Sequence, residues 1–346
     1  LASMPKIEIA EILEATTGGT RRHLLDLVAG LDHSRFHITV IVSALRDPLF
    51  HGDIERMRAM GSDVVIIQMR RAISPWQDAC ALVRICHCLR QGRFDIVHTH
   101  SSKAGFLGRV AGRLAKIPVI IHTPHVFPFL MAGPWLRNKI YAALERLAAR
   151  YTTRLICVWQ GEKTAAEHWR IMPASRVTVI ENGIDGEALT RGQPGPADCR
   201  IRYGVKENEL VVGMIGRFTA QKGHRYLIEA AQRVCERVPD VRFLLIGDGE
   251  LKDDIRRMIA TRGMEAQFLV FDQTDDVYSF YQALDLFVLP SLWEGLPYSL
   301  LEAMAFGRAV VATRVGGVAD VITDGIDWLL VLPADAEALA NAMLSI

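Results

Sequence analysis

Short apolar runs rich in Val, Ile and Leu alternate with helical stretches along almost the whole chain. Such runs are typical of strands that are buried on both faces, as in a parallel sheet covered by helices. We predict strands near residues 6–13, 37–42, 63–67, 96–99, 119–122, 154–158, 177–180, 210–215 and 286–289. We predict helices most clearly at residues 20–31, 75–91, 102–115, 134–151, 224–237 and 298–306. The alternation predicts an α/β fold with doubly wound parallel sheets.

The chain is long enough for two domains. It has 346 residues, of which 50% are hydrophobic, so two full cores are expected. Residues 183–197 are rich in Gly and Pro and separate two alternating series. We therefore predict two Rossmann-like domains, residues 1–187 and 188–346, whose strand ends face a central cleft. Ligands collect at such strand ends.

A loop with two cations follows the predicted strand at 210–215. It runs from Gly216 through Arg217 to Lys222-Gly223 and leads directly into a helix. Arg217 can bind two phosphate oxygens through its guanidinium, and Lys222 adds a point charge. Together with the helix N-terminus they predict an anion site. The alternative is a solvated loop, because Arg and Lys are usually surface residues.

Two glutamates follow the predicted strand at 286–289. Glu294 lies in the loop that enters the next helix, and Glu302 lies inside that helix. We place Pro297 at the first helical position and Gly307 just after the last. An acidic group on each side of a phosphate site suits a ligand with hydroxyls on both sides of a diphosphate, such as a nucleotide sugar. The alternative is two solvated glutamates on a surface helix.

Several short motifs occur together in this order. In the second half they are Gly216-Arg217, Lys222-Gly223, Pro290-Ser291, Glu294-Gly295-Leu296-Pro297, Glu302-Ala303-Met304-Ala305 and Gly316-Gly317. In the first half they are Gly18-Gly19-Thr20, His98-Thr-His-Ser-Ser-Lys-Ala-Gly105 and His122-Thr-Pro-His-Val-Phe-Pro128. The set resembles the signature of the retaining glycosyltransferases of the group-1 (family four) type, which have the two-domain GT-B fold. The resemblance covers nearly the whole chain.

The resemblance implies retaining transfer of a sugar from a nucleoside-diphosphate sugar, with a UDP-sugar favoured, to a hydroxyl acceptor. Arg217 and Lys222 would neutralise the departing diphosphate. We assign Glu294 to hydroxyls of the sugar and Glu302 to the ribose diol. The remaining residues expected to contact the donor are Gly19, Gly216, Gly295, Leu296 and Pro297, with Asp272 and Gln273 at the edge that contacts the base.

Gly19 and four histidines mark the candidate site of the first half. Gly18-Gly19 follows the first predicted strand and precedes a helix, which favours close approach of an anion. Arg21 and Arg22 add positive charge beside it. We expect His98 and His122 to be structural. His125 follows the next strand, and the resemblance gives a His at this place a contact with the transferred sugar.

The crossover between the halves contains Asn182-Gly183, which we interpret as a turn with left-handed backbone. The resemblance makes Asn182 a cleft residue. We expect no cofactor and no metal ion. A metal-dependent transferase would be expected to carry an Asp-x-Asp pair near its donor, and neither Asp253-Asp254 nor Asp275-Asp276 has that spacing.

Charge is distributed unevenly along the chain. Residues 1–150 contain 20 Lys and Arg against 12 Asp and Glu, a net charge of about +8, and the remainder carries about −7. A basic half suggests an anionic partner. No nucleic-acid-binding signature is visible, so a lipid phosphate or an anionic membrane face is favoured over nucleic acid. The alternative is charge scattered over the surface without function.

An apolar loop in this basic half adds to the expected contact surface. We expect Val126–Met131, with Trp135, Arg137 and Lys139, to meet a membrane. The alternative is that these aromatic residues pack beneath the following helix. We therefore expect a lipid-linked or saccharide acceptor in cell-envelope synthesis, and a cytoplasmic protein that acts at the inner face of the cell membrane. No signal peptide is visible.

Two other functions fit the same fold. A nucleotide-sugar epimerase would need no acceptor, and a non-catalytic subunit would only bind the nucleotide sugar. The presence of Arg217, Lys222, Glu294 and Glu302 argues against the second. The chain stops at Ile346 inside a helix predicted to begin near Asp335, so the second domain is interpreted as truncated.

Overall fold

The computed structural model describes residues 5–45, 50–70, 72–131, 133–192, 194–272, 276–326 and 328–346. The chain divides into two compact units, Leu1–Glu181 and Asn182–Ile346.

Within its described residues, the first unit contains seven strands and six α-helices. The strands are β1 (Ile7–Leu13), β2 (Phe36–Val42), β3 (Asp63–Ile66), β4 (Ile96–His100), β5 (Val119–Thr123), β6 (Arg154–Cys157) and β7 (Val177–Val179). The helices are α1 (Gly18–Gly30), α2 (Phe50–Ala59), α3 (Pro75–Gly92), α4 (Ser102–Leu114), α5 (Trp135–Ala149) and α6 (Gln160–His168). All strands pair in parallel, in the order β3-β2-β1-β4-β5-β6-β7.

The part of the second unit that the structure describes contains six strands and eight α-helices. The strands are β8 (Leu210–Ile215), β9 (Val241–Ile246), β10 (Phe268–Phe271), β11 (Leu286–Leu289), β12 (Ala309–Thr313) and β13 (Leu329–Val331). The helices are α7 (Gly186–Thr190), α8 (Pro196–Arg202), α9 (His224–Arg237), α10 (Lys252–Thr261), α11 (Val277–Ala283), α12 (Tyr298–Ala305), α13 (Val318–Val321) and α14 (Ala336–Leu344). The parallel strands follow the order β10-β9-β8-β11-β12-β13.

Both sheets are buried on both faces, which explains the continuous apolar runs. In β8, Val211 packs in one core cluster while its neighbour Val212 packs in another. Ala10 and Ile12 of β1 likewise pack in one cluster, and Leu13 belongs to a second. The predicted fold class is confirmed, and each predicted strand and helix lies within two residues of its expected bounds.

Two local predictions near the second unit's site were wrong. Pro297 has extended backbone and caps α12, which begins at Tyr298. Neither Asn182 nor Gly183 has a positive φ. Nδ2 of Asn182 donates a hydrogen bond to the carbonyl oxygen of Leu296 (2.8 Å), so tertiary contact decides the crossover conformation. Gly307 has a φ of 62°, as its predicted place after the helix requires.

In each sheet the strand order reverses direction at one place. β1 and β4 are neighbours in the first sheet, and β8 and β11 are neighbours in the second. Chain segments that leave such a pair turn to opposite faces of the sheet and open a crevice at the carboxyl ends. Gly19 follows β1, Arg217 and Lys222 follow β8, and Glu294 follows β11. His125 follows β5, next to β4, and Asp272 follows β10.

Candidate functional site

The cation loop after β8 and the acidic loop after β11 meet in the second unit. Nζ of Lys222 lies 2.7 Å from Oε1 of Glu294, although 72 residues separate them. Gln221 donates from Nε2 to the carbonyl oxygen of Trp293 (2.9 Å) and accepts from the backbone N–H of Leu292 (2.7 Å). The structure therefore joins the predicted basic and acidic sites into one.

Close backbone approach holds these loops together. A Cβ on Gly223 would lie 2.0 Å from the carbonyl oxygen of Pro290, and one on Gly316 would lie 1.9 Å from that of Glu294. Gly216 lets the side chain of Lys222 cross it, because a Cβ there would lie 3.3 Å from Cε of Lys222. Glycine is needed at these positions because a Cβ would crowd the neighbouring atoms and because the backbone has a positive φ.

Glu294 is buried and its two oxygens differ in their partners. Oε1 accepts from Lys222 and from the hydroxyl of Ser291 (2.7 Å). Among the described residues, Oε2 has a single long contact, with Nε2 of Gln221 at 3.4 Å. The carboxylate is thus held in one orientation through Oε1, and Oε2 is the oxygen better placed to accept from a ligand hydroxyl.

Glu302 is buried in α12 and is oriented by Tyr281 of α11. The Tyr281 hydroxyl donates to Oε2 of Glu302 at 2.8 Å. Burial and the neighbouring Glu302 carboxylate raise the pKa of Tyr281 well above its usual value, so the hydroxyl remains a donor. Sequence reasoning missed Tyr281, since nothing in its helical surroundings marks it.

The other residues predicted to bind the donor differ in their exposure and in their partners. Arg217 is 46% exposed and lies 3.7 Å from Glu250, a weak surface pair. Asp272 is exposed and its oxygen lies 2.5 Å from Nζ of Lys252, whose hydrogen bond lowers the pKa of Asp272. Gly295 accepts from the backbone N–H of Gly317 (2.9 Å). Gln273 lies outside the described residues.

In the first unit, strands β1 and β4 bring a carboxylate and two imidazoles together. Oε2 of the buried Glu11 lies 2.8 Å from Nε2 of His100 and 3.1 Å from Nδ1 of His98. Nδ1 of His100 lies 3.2 Å from Nε2 of His125. His23 of α1 packs edge-on against His125, with ring centroids 4.6 Å apart.

Burial and neighbouring groups shift the pKa values of Glu11, His100 and His125. Burial opposes the charge on Glu11, but the two histidines outweigh it and hold the pKa of Glu11 far below its usual value. Burial lowers the pKa of His100 to about 3. Burial, then His23 and His100, hold the pKa of His125 well below its usual value. At neutral pH Glu11 is therefore ionised, and the imidazoles of His100 and His125 are neutral.

The loop that carries His125 is held in an unusual backbone conformation. His125 has a φ of 54° and Val126 a φ of 84°, which a β-branched residue rarely adopts. The backbone N–H of Val126 donates to Oε1 of Glu162 (2.7 Å), and that of Val158 donates to Oε2 (3.0 Å). Burial raises the pKa of Glu162 to about 7, although these donors oppose the rise.

His98 and His122 are buried and hydrogen-bonded within the first unit. Nε2 of His98 lies 2.8 Å from the Thr123 hydroxyl, and Nδ1 of His122 lies 3.0 Å from the carbonyl oxygen of Thr99. A Cβ on Gly105 would lie 2.4 Å from the His122 ring, so α4 packs directly on it.

The positive charge expected beside Gly19 is largely compensated. Arg21 pairs with the buried Asp53, and Arg22 pairs with Asp26 one helical turn later (2.8 Å). Gly18, with a φ of 60°, begins α1. The site of this unit is therefore built mainly from imidazoles. Sequence reasoning missed Glu11 and His23, although a charged residue inside the apolar run Ile7–Leu13 was a visible signal.

Among the described residues, two overlapping groups have a composition that could hold a metal ion. They are His23, His100 and His125, and Glu11, His98 and His100, with ligand atoms within 4.8 Å of one another in each group. Both nitrogens of His100 are engaged in hydrogen bonds within the cluster.

Comparison with known proteins finds two family matches that together span most of the chain. Residues 209–346 match the family described as glycosyl transferases group 1, and residues 17–188 match glycosyltransferase family 4. An Escherichia coli UDP-Gal:alpha-D-GlcNAc-diphosphoundecaprenol alpha-1,3-galactosyltransferase is 33% identical over 350 residues, covering 99% of this chain and 88% of the relative. An alpha-maltose-1-phosphate synthase of Mycolicibacterium smegmatis is 30% identical over 254 residues, covering 68% of this chain and 64% of the relative.

Solved structures show the same architecture. The Anabaena protein HepE in complex with UDP-glucose has a TM-score of 0.83 at 23% identity, covering 98% of this chain and 89% of that one. WaaG, a glycosyltransferase involved in lipopolysaccharide biosynthesis, has a TM-score of 0.74 at 18% identity, with 98% and 90% covered. These likenesses show the GT-B fold, built from two parallel-sheet α/β units.

Proposed function

This chain belongs to the group 1 glycosyltransferases, and from that premise we propose that it transfers a sugar from a UDP-sugar to a hydroxyl of a lipid-linked saccharide. The transfer retains the anomeric configuration and needs no metal ion. The observation that carries the proposal is the ion pair of the partly buried Lys222 with the buried Glu294, at the carboxyl ends of β8 and β11. A relative at 33% identity that uses UDP-Gal and a diphosphoundecaprenol acceptor supports the choice of substrates.

The second unit supplies the charge that a departing diphosphate requires. Lys222 reaches the site across Gly216 and is oriented by Glu294. Arg217 adds a second, more mobile cation, because its side chain is half exposed. Cations placed before the reaction stabilise charge as it develops on the leaving group. This contribution replaces the one that a metal ion makes in other transferases.

The two glutamates have different proposed tasks. Glu294 accepts from hydroxyls of the transferred sugar through Oε2, because Oε1 is already engaged by Lys222 and Ser291. Glu302, oriented by Tyr281, accepts from the ribose diol. In the first unit, His125 contacts the transferred sugar. Gly19, Gly295, Leu296 and Pro297 contribute backbone contacts to the donor, and Asn182 supports this site through its amide, which holds the carbonyl oxygen of Leu296.

Thermal shift with UDP-, GDP- and ADP-sugars tests the donor. A ligand at 100 times its dissociation constant adds about 2.7 kcal/mol to the stability of the folded state. We expect a clear shift with a UDP-sugar, also in the presence of EDTA. Release of UDP only when a lipid-linked acceptor is added indicates transfer, whereas conversion of the sugar without an acceptor indicates an epimerase. Proton NMR of the product decides whether the anomeric configuration is retained.

We also propose that the protein acts at the inner, anionic face of a membrane through the outer face of α5. The loop expected to make this contact is buried, since Phe127 and Phe129 lie in the core. Leu136 and Ile140 are exposed on α5, as is Trp135, whose ring lies 4.2 Å from Nζ of Lys139. Exposed apolar groups beside a cation suit the headgroup region of anionic lipid. Within the described residues, no helix has the length and apolar character that crossing a membrane requires.

Co-sedimentation with vesicles tests the membrane contact. We expect the protein to bind anionic but not neutral vesicles, less strongly as salt screens the charges. The double variant Leu136→Ser and Ile140→Ser should lose most of this binding. Ile201→Ser removes an exposed apolar side chain from the second unit and should leave vesicle binding unchanged. If the double variant binds anionic vesicles as strongly as Ile201→Ser does, the membrane contact lies on another surface.

A further inference from the structure

The hydrogen bonds among Glu11, His100 and His125, which we call the imidazole relay, have a fixed direction. Oε2 of Glu11 lies 2.8 Å from Nε2 of His100. An ionised carboxylate only accepts, so Nε2 of His100 carries the hydrogen. A neutral imidazole has a single N–H, and Nδ1 of His100 is therefore an acceptor.

The same reasoning extends to His125. Nδ1 of His100 lies 3.2 Å from Nε2 of His125, and because His100 accepts at that atom, Nε2 of His125 must donate. His125 is also neutral, so its Nδ1 is left as an acceptor. The charge on Glu11, two side chains away, thus decides which nitrogen of His125 can accept a hydrogen bond.

We propose that Glu11 is a positioning residue that, through His100, fixes His125 in its Nε2–H form and presents Nδ1 of His125 as the acceptor for a hydroxyl of the transferred sugar. The proposal rests on the proposed function, which gives His125 its contact with the sugar. Glu11 itself is buried and touches no substrate.

The relay orients an acceptor and does not remove a proton. Passing a proton from a hydroxyl through His125 and His100 would end with a protonated Glu11. The two histidines outweigh the effect of burial and hold the pKa of Glu11 far below its usual value, so that state is unfavourable. Burial, then His23 and His100, hold the pKa of His125 well below its usual value, so its ring stays neutral, which suits a hydrogen bond to a neutral sugar hydroxyl.

A second carboxylate fixes the backbone of the same residue. Glu162 accepts from the backbone N–H of Val126, directly after His125, and both residues have a positive φ. Such a conformation persists only where the surroundings hold it. The ring of His125 is thus fixed from β1 and β4, and its backbone from α6.

NMR of the full chain labelled with ¹⁵N-histidine tests the relay without any substrate. The ring signals of His125 are assigned by their absence in His125→Gln. In the wild type we expect the Nε2–H form with Nδ1 unprotonated. Glu11→Gln keeps the shape of the side chain, but an amide can donate as well as accept, so a second form of His125 should be populated.

The same variants are compared in transfer. For Glu11→Gln we expect kcat to fall about 10-fold, the factor that corresponds to losing one hydrogen bond of about 1.4 kcal/mol to the transferred sugar in the transition state. KM for the UDP-sugar should change less than about 3-fold, because the donor is bound by the second unit. His100→Asn interrupts the imidazole relay between Glu11 and His125. Its kcat should fall by a factor similar to that of Glu11→Gln, and the melting temperatures of the two variants should be close.

Glu8→Gln is the matched control. Glu8 lies on the same strand and its Oε2 is 2.8 Å from Nδ1 of His37, a carboxylate–histidine pair that does not reach His125. It should leave kcat and the His125 signals unchanged. The Nδ1–H form of His125 in the wild type, or a Glu11→Gln variant with unchanged signals and kcat, overturns the proposal.

Failure of the proposed function gives a different result. If Glu11→Gln changes the signals of His125 but His125→Gln transfers sugar at the wild-type rate, the relay has no part in transfer and the proposal is overturned at its last step. If the wild type releases no UDP with any acceptor, the proposed function fails, and the NMR comparison alone decides the hydrogen-bond direction.

Discussion

At the scale of single residues, replacing Lys222 has two consequences. Its Nζ pairs with the buried Glu294, so Lys222→Ala removes a cation from the donor site and leaves a buried carboxylate without its counter-charge. We expect turnover to fall about 100-fold, the scale of losing one donor that stabilises the transition state. Arg217→Ala should cause a similar loss in turnover with less effect on the melting temperature, because Arg217 is half exposed.

Steady-state kinetics and thermal melting of both variants check this prediction. Arg225→Ala serves as the control, since Arg225 is an exposed cation of the same unit that forms its ion pair with Glu229 of its own helix. Full turnover in either Lys222→Ala or Arg217→Ala would contradict the phosphate-binding role of that residue.

The two glutamates allow a second prediction at this scale. Glu302→Ala should weaken binding of UDP itself, and Tyr281→Phe should do so more mildly, by roughly 1 kcal/mol, because it removes one hydrogen bond to Glu302. Glu294→Ala should leave UDP binding nearly unchanged and weaken binding of the UDP-sugar. Calorimetry with both ligands on each variant decides, and equal losses for both ligands in both glutamate variants would contradict the division of tasks.

At the scale of elements, the approach of the loop after β12 to the loop after β11 is testable with two glycines. Gly316 and Gly307 have φ values of 45° and 62°, so Ala at either position costs about 1–2 kcal/mol in backbone strain. Only Gly316 also meets backbone, with a Cβ 1.9 Å from the carbonyl oxygen of Glu294, whereas Gly307 faces open space.

Gly316→Ala should therefore displace Glu294 and lower turnover at least about 10-fold, the loss that about 1.4 kcal/mol of transition-state stabilisation represents. Gly307→Ala should lower the melting temperature but keep turnover within about 3-fold. Kinetics and melting of the two variants separate backbone strain from displacement of the site. Similar turnover in both would show that the close approach does not position Glu294.

At the scale of the whole molecule, buried neutral histidines predict loss of stability in acid. Burial holds the pKa values of His100 and His122 in the first unit, and of His224 in the second, below the usual 6.5. The unfolded chain binds protons below pH 6.5 that these folded residues do not. Their contribution is therefore complete above pH 6.5 and is lost as pH falls, by about 1.4 kcal/mol per pH unit for each.

Glu162 acts in the opposite direction. Its folded pKa of about 7 lies above the usual 4.5, so its contribution to stability falls as pH rises between these values and offsets about one histidine of the first unit. His125 adds to the acid loss of that unit. Both units should lose stability between pH 6 and pH 5, and the first unit should lose more.

Hydrogen exchange followed by mass spectrometry, corrected for the intrinsic pH dependence, measures each unit separately. His224→Leu should remove most of the acid loss of the second unit, because neither ring nitrogen of the buried His224 has a hydrogen-bond partner. The first unit should be unaffected. Equal protection at pH 6 and pH 5 in the wild type would contradict the prediction.

The sequence alone predicted the fold class and the bounds of the strands and helices named under Sequence analysis. A strand buried on both faces must be apolar throughout, and this requirement is local, so runs such as Leu210–Ile215 are visible without any partner strand. The glycine and cation loops could be located for the same reason, because a loop after a buried strand lies at the carboxyl edge of the sheet. Each predicted strand was therefore found within two residues of its bounds.

Only the tertiary structure decided which side chains meet. The sequence separated the cation loop from the acidic loop, and the adjacency of β8 and β11 joined Lys222 to Glu294. The adjacency of β1 and β4 likewise brought Glu11 to His100. Strand order depends on how the connecting helices pack over the sheet, and no local pattern along the chain records it. The sequence thus determined where functional groups leave each sheet, and the packing of the sheets determined which of them act together.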